Sequence, residues 1–219
     1  MNRGANLDVI TTSVVVAAEA HNPTILHPAF LASEKIVPSD WKLGAEPPVS
    51  TPAISVVRYD NNISFLVDIN KIQILDGSGR DESEIAEIAK SYVQKLPHVH
   101  YTAVGVNIAA FARCPDPEQW LLNRFIVAGP WSDAALKLKA AGLKLVYSVE
   151  KGVLNLNCEV GTIQPPNSPI EVGIAVNANY HTDISTNARV GETISALSLF
   201  RDRVVHFHQI TKIVLQATK

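Results

Sequence analysis

Histidine and cysteine are the residue types in this chain with the widest chemical reach, and it holds seven of the first and two of the second. His98-Val99-His100 and His206-Phe207-His208 share the pattern H-x-H. On a strand, residues two apart project from one face and could chelate zinc or iron. On a helix the same spacing turns the rings about 160° apart, so one ion cannot take both. His206 and His208 lie in helix-patterned sequence. His98 follows Pro97 at a helix-to-strand junction, and no carboxylate or cysteine stands at a supporting distance. The expectation is no metal site and no cofactor.

Nucleophilic chemistry is no better supported. The chain has no G-x-S-x-G, and neither cysteine carries a family signature. Cys114 sits in Arg113-Cys114-Pro115-Asp116, where the guanidinium could lower a thiol pKa. Cys158 falls at an inward strand position and reads as a small core residue. Asp76-Gly77-Ser78-Gly79-Arg80 contains two glycines but lacks the Lys-Ser/Thr end of a phosphate-binding loop, so it reads as a turn. Asp68 is an isolated acid, not one of a catalytic pair. No catalytic residue is assigned, and the reading leans away from an enzyme.

Bulk properties narrow the field further. Over 219 residues, 47% are hydrophobic and 18% charged, with a formal net charge of −2. That balance supports a sizeable core. It also lacks the basic excess with which nucleic-acid binders displace counterions. Arg58, Arg201, Arg203, Lys212 and Lys219 are interspersed with acids and read as solvated. The first eight residues carry no basic-then-apolar leader, and no run reaches the length of a membrane span. With no disulfide framework, a reducing cytoplasm is the expected compartment.

The elements that must position any site come in two copies. Shifted by ninety residues, Ile10–Val67 lies without a gap on His100–Asn157, with eleven identical pairs over 58 positions. Chance would give roughly four. The strongest block sets Ile36-Val37-Pro38-Ser39-Asp40-Trp41 over Ile126-Val127-Ala128-Gly129-Pro130-Trp131. Thr12/Thr102, Val14/Val104, Val16/Val106 and Val56/Val146 are among the other matches. Trp41 and Trp131 are expected as paired core anchors, and Trp120, over Phe30, as core.

Period-two runs predict strands over Val9–Ala20 and Tyr101–Ala112. Short helices follow near Pro28–Lys35 and Pro117–Phe125. Hairpins come next, Ala53–Tyr59 into Ile63–Asn70 and Leu143–Val149 into Val153–Val160, turning at Asn61-Asn62 and Lys151-Gly152. Fourth strands run over Lys71–Leu75 and Ile170–Tyr180, the second after an inserted loop, Gln164–Pro169. A closing helix carries the stripe Ile85, Ile88, Tyr92 and Leu96, with capping-box spacing at Asp81 and Glu84. Its counterpart, carrying Val190, Ile194, Leu197 and Val204, is expected as one long helix from about Thr186 to His208. The prediction is therefore an α+β fold. Duplicated β-α-β-β-β-α repeats (9–97 and 100–208, with a tail over 209–219) form one domain, a single curved antiparallel sheet with helices on one face.

In the second repeat the hairpin splits cleanly. Leu145, Tyr147, Val149, Leu154, Leu156 and Cys158 face one way; Lys144, Val146, Ser148, Asn155, Asn157 and Glu159 face the other. Carried over at the same register, the first repeat sends Ser55, Val57, Tyr59, Ser64, Leu66 and Asp68 inward. Ile54, Val56, Arg58, Phe65, Val67 and Ile69 would then form an outward, largely apolar patch, the signature of a protein contact. A turn at Asp60-Asn61-Asn62 one residue longer would instead flip the second strand and bury Phe65 and Val67. Both registers fit the residues.

His21-Asn22-Pro23-Thr24-Ile25-Leu26, Pro28-Ala29-Phe30-Leu31 and the Ile36–Trp41 block together resemble a pattern in uncharacterised bacterial proteins, cyanobacterial ones among them. The resemblance covers roughly the first hundred residues and implies no activity. Element order alone resembles the saddle of the TATA-box-binding proteins, without any motif of that family. The function expected is non-enzymatic: protein binding or assembly through the open sheet face, as a homodimer or as a subunit of a bacterial complex. The alternatives are a nucleic-acid-binding saddle, and a cleft that binds or hydrolyses a small ligand.

Overall fold

A computed structural model describes residues 7–127, 129–133, 138–165, 168–185 and 189–216. The fold is α+β, built on one nine-stranded antiparallel sheet of order β2-β3-β4-β5-β1-β6-β9-β8-β7. The strands are β1 (Leu7–Glu19), β2 (Val49–Ser50), β3 (Ile54–Arg58), β4 (Ile63–Asp68), β5 (Lys71–Asp76), β6 (His100–Arg113), β7 (Leu143–Val149), β8 (Gly152–Ile163) and β9 (Glu171–Asp183). The helices are α1 (Pro28–Ser33), α2 (Ile85–Lys95), α3 (Pro117–Phe125), α4 (Pro130–Asp133), α5 (Arg189–Ser198) and α6 (Phe200–Leu215). The long central strands β1 and β6 pair with each other, and Val15 stands opposite Gly105.

Alternation decides which side chains turn inward. Val14, Val16, Ile72, Ile74, Val104, Val106, Leu154, Leu156, Val176 and Tyr180 share one buried cluster with Leu31, Ile88, Tyr92, Leu121, Leu197 and Phe207 from the helices. Proline starts both α1 and α3, where a missing N–H costs nothing. The Asp116 side chain caps α3 by accepting from the Gln119 amide at 3.1 Å.

Four expectations are corrected. The expected long C-terminal helix is two: Leu199 interrupts it, and α6 then runs on to Leu215. The break lets Leu197 and Phe200, on separate helices, both reach the core. No capping box forms at α2. The Glu84 side chain makes no cap bond, while Asp81 lies 2.9 Å from His208 Nε2.

The tryptophans do not share surroundings either. Trp41 packs edge-on against Tyr59 with ring centroids 5.0 Å apart, whereas Trp131 is 56% exposed. The position ninety residues beyond Tyr59 is Val149, which has no ring to meet it. Trp120, by contrast, is partly buried against the core, as is Phe30.

The fourth correction bears on the site. Arg58 pairs with Ser64, and the Tyr59 amide donates to the Ile63 carbonyl, leaving Asp60, Asn61 and Asn62 as a three-residue turn. Asn62 sits at φ 68°, the left-handed conformation that asparagine tolerates. The second hairpin closes at Val149/Gly152 around only Glu150 and Lys151. The extra residue reverses β4, so Ile63, Phe65 and Val67 are fully buried. Phe65 and Val67 therefore leave the expected patch, and Leu66 takes the outward side.

Candidate protein-binding face

The face opposite the core cluster can be followed strand by strand. One row crosses all nine strands: Val49, Val56, Leu66, Gln73, Val15, Gly105, His181, Val153 and Ser148. The neighbouring row reads Arg58, Ser64, Leu75, Ser13, Asn107, Asn179, Asn155 and Val146. A third places Lys144, Asn157 and Asn177 side by side. The first-half end thus carries Val49, Val56, Leu66 and Leu75 with Arg58, Ser64 and Gln73 among them, and the second-half end is lined with side-chain amides.

Of the six residues expected in the patch, Ile54, Val56 and Arg58 keep their outward positions on β3. Ile54 is 38% exposed, and Arg58 is tied to Glu46 at 2.9 Å. Ile69 is 57% exposed but lies in the β4–β5 turn, held by the Asp68 carboxylate accepting from the Asn70 and Lys71 amides. That bond set explains Asp68 as a turn residue on the outward side. Phe65 and Val67 are in the core.

The amide end is organised rather than merely polar. Asn179 donates to Asn107 Oδ1 at 2.6 Å, Asn107 donates to Ser13 Oγ at 3.3 Å, and Gln73 donates to the same oxygen at 3.4 Å. This chain links β9, β6, β1 and β5 across the middle of the sheet, locking the amides in one orientation. Asn155, Asn157 and Asn177 lie beside it on β8 and β9 and continue the amide surface. Asn107 was missed in the sequence because it sits singly in an apolar strand. Only the β1–β6–β9 register places it between Ser13 and Asn179.

The other candidate groups disperse. His206 Nδ1 meets the Tyr180 hydroxyl at 2.9 Å, and His208 turns to Asp81, so the two rings serve different partners. Burial holds His206 below the ordinary histidine range, with Arg203 acting in the same direction. His100 lies 3.7 Å from Glu19. Arg113 bonds Asp8 and Glu171, which gives it a structural partner set beside Cys114. Burial pushes the Cys158 thiol up to about 11, as suits a core residue. Asp76 is fully buried and gathers the glycine loop, accepting from the Ser78 amide at 2.8 Å and its hydroxyl at 2.5 Å. Arg203 is also buried. It donates to the Glu150 carbonyl and stacks over Tyr180 at 5.3 Å, anchoring the β7–β8 turn to α6.

His21 is buried between Tyr92 and Tyr101, with no bond at Nε2. Burial lowers its pKa against the pull of the Val16 carbonyl and Asp68, which favours the neutral ring.

A cleft of about 560 Å³ opens between the start of α2 and the α5–α6 elbow, lined by Asp81, Glu82, Glu84, Glu87, Arg201 and His208 among others. It is acidic, and it is separate from the sheet face. Among the described residues, no group of three or more His, Cys, Asp or Glu is placed to hold a metal ion, and no helix is long and apolar enough to cross a membrane.

No protein-family model matches the chain, and no curated protein matches it. The functional reading therefore rests on the geometry of the face.

Proposed function

We propose that the chain is an internally duplicated, non-enzymatic subunit that binds another protein through the open face of its sheet. Duplication is supported by the strand order, which reads the same outward from the β1/β6 pair on both sides as far as β3 and β7. It is supported again by register, since Val15 and Gly105, ninety residues apart, face each other at the centre. In this reading the helices lie on one side, over the core cluster, and the other side is free for a partner.

The observation that carries the reading is the composition of that free side. Val49, Ile54, Val56 and Leu66 form an apolar end, and Asn107, Asn155 and Asn179 a neutral hydrogen-bonding end. Apolar area flanked by uncharged polar groups is the surface a protein partner covers at low desolvation cost. A nucleic-acid saddle needs cations there. Among the described residues, the three rows hold two, Arg58 at an outer strand and already paired with Glu46, and Lys144 at the opposite edge, too far apart to form a stripe.

Photocrosslinking tests the assignment. With benzoylphenylalanine in place of Leu66, or of Asn155, irradiation of source cells is expected to give an adduct to one and the same protein. The α6 position Ile213, 64% exposed, is expected to give none. Absence of adducts from both face positions, or equal yield from position 213, would overturn the assignment.

A further inference from the structure

The two edges of the sheet are finished differently. At the first, β3 is covered: Val49 and Ser50 pair with Val56 and Ser55, the Gly44 amide donates to Arg58 at 2.9 Å, and the Asp60 amide donates to Lys42 at 3.0 Å. At the second, β7 is seven residues long, and among the described residues no strand pairs with its outer side. Its hairpin closes at Val149/Gly152, so Val149, Tyr147, Leu145 and Leu143 aim their backbone groups at β8. Lys144, Val146 and Ser148 aim theirs away from the molecule. An uncovered strand of this length is a template for another strand, and proteins commonly blunt such edges with charge, proline or a bulge. Among the described residues the blunting amounts to Lys144 alone, and Val146 at the strand's midpoint is 61% exposed.

The order of residues along β7 fits a copy of itself. In an antiparallel pairing centred on Val146, that residue meets its own counterpart. Lys144 falls opposite Ser148, so lysine never faces lysine. On the inner side, half-buried Leu145 meets Tyr147 and Leu143 meets Val149, extending the core across the join. Registers displaced by two residues lose paired positions: one sets Lys144 against Val146, and the other carries Lys144 to Glu150 but sets Leu143 against Lys151, beyond the end of the strand. We infer that the β7 edge is a self-association surface, at which two copies of the chain join through antiparallel β7–β7 pairing about Val146. A twofold axis normal to the sheet then places both open faces on the same side of one continuous sheet. The contact does not depend on the open-face assignment, because it uses a different surface.

Sedimentation analysis of the purified chain reads the prediction directly. The wild type is expected to move from one chain to two as concentration rises toward roughly 100 μM, a range suited to a small interface. Val146→Pro removes an outward N–H without touching the β8 ladder, and is expected to weaken association at least about tenfold while the melting curve is kept. Val146→Lys sets like charges on the axis and is expected to do the same. In a Cys114→Ser background, Val146→Cys is expected to form an interchain disulfide under mild oxidation, because a hydrogen-bonded antiparallel pair sits about 5.5 Å apart at Cα. Leu66→Asp, on the open face, should leave the dimer intact. A wild type that stays a single chain throughout overturns the inference. So does a dimer that survives Val146→Pro and Val146→Lys, or one lost with Leu66→Asp alone, which would place self-association on the open face instead.

Discussion

Phe65→Asp is expected to unfold the protein, while Leu66→Asp, one residue along the same strand, leaves it folded. Phe65 is fully buried and stacks edge-on against Tyr59 with centroids 6.0 Å apart. Removing a buried phenylalanine side chain costs about 3–5 kcal/mol, and placing a carboxylate in the space adds an unpaired charge. Against a total stability of about 5–15 kcal/mol, that removes most of the margin. Leu66 points to the other side, where a substitution is expected to cost about 1 kcal/mol. Urea melts of the two variants separate the cases. The equal-register reading predicts the reverse order, so the pair of variants reports on the length of the Asp60–Asn62 turn as well as on the core.

Asp76→Ala is expected to lose about 2–4 kcal/mol, a large effect for a residue with no part in binding. Its carboxylate is fully buried at the end of β5 and collects the Ser78 amide, the Ser78 hydroxyl and, at 3.3 Å, Arg80. Without it these donors lose their acceptor, and Gly77–Arg80 is no longer tied to the sheet. Burial pushes this carboxyl up, but the Ser78 bonds, Ser83 and Arg80 outweigh it and hold the group below the ordinary carboxylate range. The sign follows: the folded state binds this proton less readily than the unfolded chain. The stabilisation is therefore complete above the unfolded carboxylate value of about 3.9 and is lost as pH falls through the lower folded value. Acid titration of unfolding is expected to show a shallower low-pH limb for Asp76→Ala than for the wild type.

Strand positions were legible because local periodicity decides them. Leu143–Val149 and Pro117–Phe125 agree with the elements observed. Turn length was not legible. Asn61-Asn62 satisfies a two-residue and a three-residue turn equally well, and the choice depends on whether Phe65 or Leu66 fits the space beside Tyr59. That is a tertiary matter. The helix break at Leu199 has no proline or glycine to announce it, since the break follows from where Leu197 and Phe200 find core. The open face was half legible. Asn155, Asn157, Asn177 and Asn179 stand out by alternation within their strands, whereas Asn107 joins them only through pairing with strands far away in sequence. The β7 edge was beyond reach because an edge is defined by what fails to pair with it.

One labelling experiment bears on the central claim that the open face is covered by another protein. In a Cys114→Ser background, with Cys158 silent in the core, Leu66→Cys supplies a single outward thiol on the apolar end of the face. The account predicts that this thiol reacts readily with a maleimide in the purified protein and at least about tenfold more slowly in source cells, where the partner is present. Equal reactivity in the two settings, or a Val67→Cys thiol that reacts faster than the one at position 66, would contradict it.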